Sequence, residues 1–147
     1  MWKMHLTLAL AGIIAILAVL GGCSAQNTPK DTVFRFVKAT RLSDRAEFEK
    51  TVLFERLIVD TKGEAYLAMP VEKRNEELLE FKRKLLDNLT AGKLSIFDGI
   101  DPELREERVT GDEAEVKISD RKNKDIAFVF MLARSDGAWK IYKVGKI

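Results

Sequence analysis

Few residues in this 147-residue chain carry reactive chemistry, and their positions narrow what it can do. It holds one cysteine, Cys23, and one histidine, His5. His5 sits between Lys3 and an uncharged apolar run from Leu6 to Leu20, the charged-then-apolar layout of a secretory signal. The run falls short of the ~20 residues a comfortable membrane span needs. Removal of that signal takes away the only imidazole, and with it a histidine general base, a Ser-His-Asp triad and a His-ligated zinc site. Acid–base work would then fall to a carboxyl of raised pKa in an apolar pocket, Asp98 or Asp101, with Tyr66 as donor. Both aspartates stand beside turn formers, Gly99 and Pro102, so we read them as loop residues.

The apolar run ends in Leu20-Gly21-Gly22-Cys23. This stretch resembles the lipobox of bacterial lipoproteins, in which two small residues let the chain enter a peptidase site extended. The resemblance implies a signal peptide over residues 1–22, cleavage between Gly22 and Cys23, and a diacylglyceryl thioether on the Cys23 sulfur, in many bacteria with a third chain, such as palmitate, on the new amino group. One acyl chain binds a membrane marginally, whereas two or three make the anchor effectively permanent. An acylated Cys23 is no nucleophile or metal ligand, and without a second cysteine the fold rests on core packing alone. The location implied is the bacterial cell envelope, facing away from the cytoplasm. Ser24, where an aspartate would retain an enteric lipoprotein in the inner membrane, favours the outer membrane if the host has one.

Residues 23–147 suffice for one domain with a real core, not two. Over the full chain Lys and Arg number 25, Lys3 of the signal among them, against 23 Asp and Glu, too even a balance for a nucleic-acid footprint. Ser24 to Lys30 is polar and holds Pro29, so residues 23–30 read as a lipidated cysteine and a short tether, and residues 31–147 as the domain.

The domain changes character near residue 100, from helical periodicity to strand alternation. Asp31 can cap a helix bearing Val33, Phe34 and Val37. Asp44 and Glu47 have capping-box spacing for a second helix through about Ile58, and Thr61 to Met69 looks like a loop. Pro70 suits the first turn of a long third helix, which spaces Val71, Leu78, Phe81, Leu85, Leu86 and Leu89 helically, pairs Glu80 with Lys84 and ends before Gly92. A meander follows: a strand from Leu104 to Thr110, a turn at Gly111-Asp112, then Ala114, Val116 and Ile118 alternating with polar residues. Arg121 to Lys124 reads as a solvated tip. Ile126 to Arg134 is apolar on both faces, and Asp136-Gly137 is a hairpin signal into the last strand.

Helices followed by a bent antiparallel sheet, with the hairpin Gly111-Asp112-Glu113-Ala114-Glu115-Val116 and the closing Asp136-Gly137-Ala138-Trp139-Lys140-Ile141, resemble the NTF2-like (cystatin-like) α+β cone, in particular small bacterial lipoproteins of that superfamily whose domain has no assigned function. These motifs specify turns and core rather than chemistry, and the superfamily hosts enzymes and binding modules alike. The expected function is a non-catalytic, lipid-anchored envelope module, without metal or cofactor, that binds an apolar small molecule, a lipid or a protein. The alternatives are an isomerase or dehydratase using Asp and Tyr, or an envelope assembly or inhibitor subunit. A two-residue Asp136-Gly137 turn opposes Leu132 to Ile141 and Arg134 to Trp139, which aligns Phe128, Phe130, Leu132, Trp139 and Ile141 on one face. With Phe81 and Leu85 they form the expected interior and candidate pocket, as plain core or as cavity wall. The same register leaves Val129, Met131, Tyr142 and Val144 on the back face, a candidate interface for a homodimer or an envelope protein partner.

Metabolic labelling with a palmitate analogue should mark the wild-type protein and not Cys23→Ser; equal label on both would contradict the anchor.

Overall fold

The computed structural model describes residues 27–147, so the signal, the lipobox and Cys23 lie outside the described residues. Thr28 opens the first helix: its Oγ1 accepts the Asp31 N–H at 3.1 Å, and Pro29 takes the first turn, where a missing N–H is harmless. Helix α1 therefore spans Pro29–Leu42, and the tether expected to reach Lys30 ends at Thr28. Asp31 is a first-turn acid rather than the cap. Val33, Phe36 and Val37 recur at helical spacing and are buried, which lays this face of α1 on the sheet.

Asp44 caps α2 (Arg45–Thr51) by accepting the Glu47 N–H, as its spacing predicts. The helix stops seven residues before Ile58, at Thr51, because the next two residues pair elsewhere: Val52 forms a parallel bridge with Ile141, and the Leu53 N–H donates to the Ile141 carbonyl at 2.8 Å. A tertiary backbone bond thus cuts one helical stretch into two. The chain resumes as α3 (Phe54–Lys62), then turns at Gly63 into a short α4 (Glu64–Leu67) where a loop was expected. Gly63 has φ 65° and ψ −149°, a region open essentially to glycine alone. Helix α5 runs Val71–Thr90 behind Pro70 and closes with Gly92 at positive φ, its N–H on the Leu89 carbonyl. Glu80 and Lys84 pair on its exposed side at 3.4 Å.

Four antiparallel strands follow in meander order: β1 (Pro102–Thr110), β2 (Glu113–Asp120), β3 (Ala127–Ser135) and β4 (Ala138–Lys146). The domain is α+β, five helices then a four-stranded antiparallel sheet. Asp136 (φ 52°) and Gly137 (φ 76°) both take positive φ, the backbone that a two-residue hairpin with matching strand twist demands. The predicted pairs Leu132–Ile141 and Arg134–Trp139 are present, and Phe128, Phe130, Leu132, Trp139 and Ile141 are all buried. Around Phe36 the core is aromatic, with Phe48, Phe97 and Phe130 at centroid distances of 5.3, 5.9 and 6.0 Å.

One extra residue breaks the β3–β4 register. Leu132 faces Ile141 but Met131 faces Lys143, which leaves Tyr142 without a partner in a bulge. Beyond it Val144 pairs with Phe130 and so shares the core face, correcting its assignment to the back.

Phe130 is fully buried, so Phe130→Ala should cost about 3–5 kcal/mol in urea unfolding; a loss under ~1 kcal/mol would mean that the site does not pack as described.

Candidate functional site

An apolar cavity of about 120 Å³ lies between the helices and the outer edge of the sheet. Each wall traces to a local cause. The C-terminal half of α1 supplies Phe36 and Thr40, one turn apart. Thr40 presents its methyl group inward, since its hydroxyl donates to the Phe36 carbonyl at 2.8 Å. The break between α2 and α3 brings in Phe48, Val52 and Leu57; α5 adds Leu85, and β4 adds Ile141 and, because of the bulge, Val144. Leu94, Ile96 and Phe97 close the space from the loop after Gly92.

Phe97 is the keystone of that loop. It is buried against Phe128, centroids 5.1 Å apart, and against Phe130 at 5.9 Å. Ile96, one residue earlier, is 56% exposed, and Leu57, Leu85, Leu94 and Val144 are half-buried, which puts the mouth among them. Below the loop Asp120, itself buried, accepts the N–H groups of Asp101 at 3.1 Å and Lys122 at 3.3 Å. The Asp101 N–H lowers the Asp120 pKa most; burial opposes it, and the N–H groups of Lys122 and Asn123 add to the lowering.

Of the seven residues expected to line the interior, Leu85 and Ile141 touch the cavity. Phe128, Phe130, Leu132 and Trp139 are filled core, with Phe81 packed half-buried against it. Asp98 and Asp101 are exposed, as loop residues should be, and are not in the cavity wall. Tyr66 is buried in α4, donates its hydroxyl to the Arg74 carbonyl of α5 at 3.2 Å and is not in the cavity wall. The lining contains no ionisable side chain. Sequence reasoning missed Phe36, Phe48, Val52, Leu57, Leu94, Ile96 and Phe97. The signal for the last three was an apolar cluster just past a helix stop, where a plain loop would be polar.

The back face also differs from expectation. Tyr142 is roofed by Arg56 of α3, whose guanidinium carbon stands 3.6 Å from the ring centroid, and its hydroxyl donates to Glu113 at 3.0 Å. Burial and the Glu113 carboxylate push its phenol above the ordinary value. Asp60 of the same helix pairs with Lys143 at 3.1 Å, so α3 folds over this edge of the sheet. With Val144 turned inward, Val129 and Met131, both half-buried, are what remains of the candidate interface.

No protein-family model matches the chain, and no curated protein matches it at a significant level. Among the described residues no group of His, Cys, Asp and Glu could hold a metal ion, and no helix is long and apolar enough to cross a membrane.

Because the folded pKa of Asp120 lies below the unfolded value, its stabilisation is full above the unfolded pKa and fades as pH falls through the folded one. Asp120→Asn should therefore melt below the wild type at neutral pH, the gap closing below about pH 3–4. A gap independent of pH would show that the charge is not what matters.

Proposed function

We propose that this chain is a lipid-anchored module of the bacterial cell envelope whose NTF2-like domain binds an apolar group without catalysing a reaction. The observation that carries this reading is the cavity: an opening walled by aromatic and aliphatic side chains, with its one hydroxyl turned to the backbone. Water gains few hydrogen bonds there, and apolar cavities of comparable size, ~150 Å³, stay dry and accept benzene. Drug-sized ligands occupy ~300–1,000 Å³, so the occupant enters with an end group, a ring or a branched alkyl tip of about six heavy atoms.

Support for the fold reading comes from the order of helices followed by a four-stranded meander, with α1 and α3 packed on the sheet, and from the turn and core motifs quoted above. Support for the anchor remains the Leu20-Gly21-Gly22-Cys23 lipobox. An isomerase or dehydratase would need a proton-transferring group facing the pocket, and Asp98, Asp101 and Tyr66 are held elsewhere. Binding, in contrast, asks only for desolvation of an apolar surface, which is worth ~25 cal/mol per Å² removed from water.

Benzene at ten times its Kd should stabilise the protein by about 1.4 kcal/mol, read as a rise in melting temperature, because a ligand bound only to the native state shifts unfolding by mass action. Val144→Trp, which fills the cavity from its half-buried rim, should abolish the rise. The same rise in both proteins would place the binding elsewhere, and no rise in the wild type would contradict the proposal.

A further inference from the structure

β4 is an outer strand of the sheet, and along its free side every second residue turns its backbone N–H and C=O away from β3. Before the bulge those outward groups are used by the chain itself. The Trp139 carbonyl accepts the Thr32 hydroxyl of α1 at 3.4 Å, and the Ile141 carbonyl accepts the Leu53 N–H at 2.8 Å. Past the bulge the phase is reset. The Ile147 N–H donates to the Ala127 carbonyl of β3 at 3.0 Å, so Gly145 and Lys143 also turn toward β3, and Val144 and Lys146 turn outward. Among the described residues nothing bonds these two outward N–H and C=O pairs. The polar contacts that α3 makes with the strand end at Lys143, where Asp60 pairs with it.

This unpaired stretch of edge is also one lip of the cavity. Val144 stands in the wall, and Lys146 follows on the same face opposite Phe128, whose ring meets Phe97 of the closing loop at 5.1 Å. An extended chain laid along the edge would bond the backbone of Val144 and Lys146 and turn every second side chain toward the mouth. About 120 Å³ holds one such side chain, and the branched tip of leucine meets the size limit set above. The next side chain on that face falls at Lys146, which is exposed and, unlike Lys143, has no carboxylate partner among the described residues.

We infer that the occupant is a segment of a partner polypeptide that adds to β4 as a short fifth strand, one large apolar side chain in the cavity and an acidic residue two positions away on Lys146. This rests on the apolar-binding reading above and narrows its ligand to a protein. Unpaired backbone on a sheet edge is a template for strand addition, and a pocket for an alternate side chain gives such addition its specificity. The chain already does this once, where Val52 and Leu53 run parallel to β4 at Ile141 before turning into α3.

The probe is the peptide acetyl-Thr-Leu-Thr-Glu-Thr-amide at millimolar concentration, read on the backbone amide signals of the isotope-labelled full chain. It should shift the Val144 and Lys146 amides and slow their hydrogen exchange about tenfold. Benzene should compete with it, and a peptide with Thr in place of Leu should not bind. A paired strand turns every second N–H toward its neighbour, so N-methylation of one alternate set of peptide amides should weaken binding roughly fivefold or more, and of the other set should leave it. Lys146→Glu should weaken the peptide a few-fold with benzene binding unchanged. Val144 and Lys146 amides already protected in the free protein, or binding indifferent to both sets of methylation, overturns strand addition. Equal peptide affinity in Lys146→Glu overturns the acidic contact. Benzene binding without peptide binding overturns the inference and leaves the apolar site standing; failure of both overturns the apolar site as well.

Discussion

A single unpaired residue in β4 sets the geometry on both sides of the sheet. Had the strand continued in the register that Asp136-Gly137 starts, Tyr142 and Val144 would both face outward. The bulge at Tyr142 turns Val144 onto the core face opposite Phe130, where it completes a cavity wall with Ile141. It also leaves Tyr142 available on the back, where Arg56 and Glu113 engage it and hold α3 against the sheet edge. The same stretch of β4 accepts the Leu53 N–H through the Ile141 carbonyl, which separates α2 from α3 and brings Val52 and Leu57 to the cavity. The bulge accounts for the last cavity wall and for the back-face cover, and the backbone of the regularly paired Ile141 for the helix break.

The cavity persists beside a densely packed aromatic core, and the two are joined by Phe97. Its ring fills space between Phe36, Phe128 and Phe130, while its neighbours Leu94 and Ile96 leave the adjoining volume open. Asp120 secures the chain just beyond, through the Asp101 N–H, and Arg41 reaches the Ile100 carbonyl at 3.0 Å from the end of α1. A loop without regular structure is thus fixed at one end by a carboxylate, in the middle by a buried ring and at the other by the cap at Gly92.

Features encoded locally were legible in the sequence. Pro70 and Gly92 bracket α5, Asp44 caps α2, and Asp136-Gly137 aligns Leu132 with Ile141, because each depends on residues close in the chain. Features encoded by distant contacts were not. From Arg45 to about Ile58 the pattern is helical throughout, and only the pairing of Val52 and Leu53 with Ile141 interrupts it. The bulge has no glycine or other local mark, so the alternation that placed five core residues correctly misplaced Val144. Residues expected to line a pocket proved mostly to be core, since alternation reports the buried face and says nothing of where packing falls short.

Apolar binding requires that the space beside Phe97 be open and dry in solution rather than a gap that collapses. Xenon is the most direct probe, being apolar, spherical and small enough for about 120 Å³. Crystals of the protein pressurised with xenon should show one ordered site in contact with Phe36, Leu85 and Ile141, with the surrounding side chains unmoved. Absence of xenon there would mean that the space collapses, and water molecules ordered in its place would mean that it is wet; either result removes the apolar site.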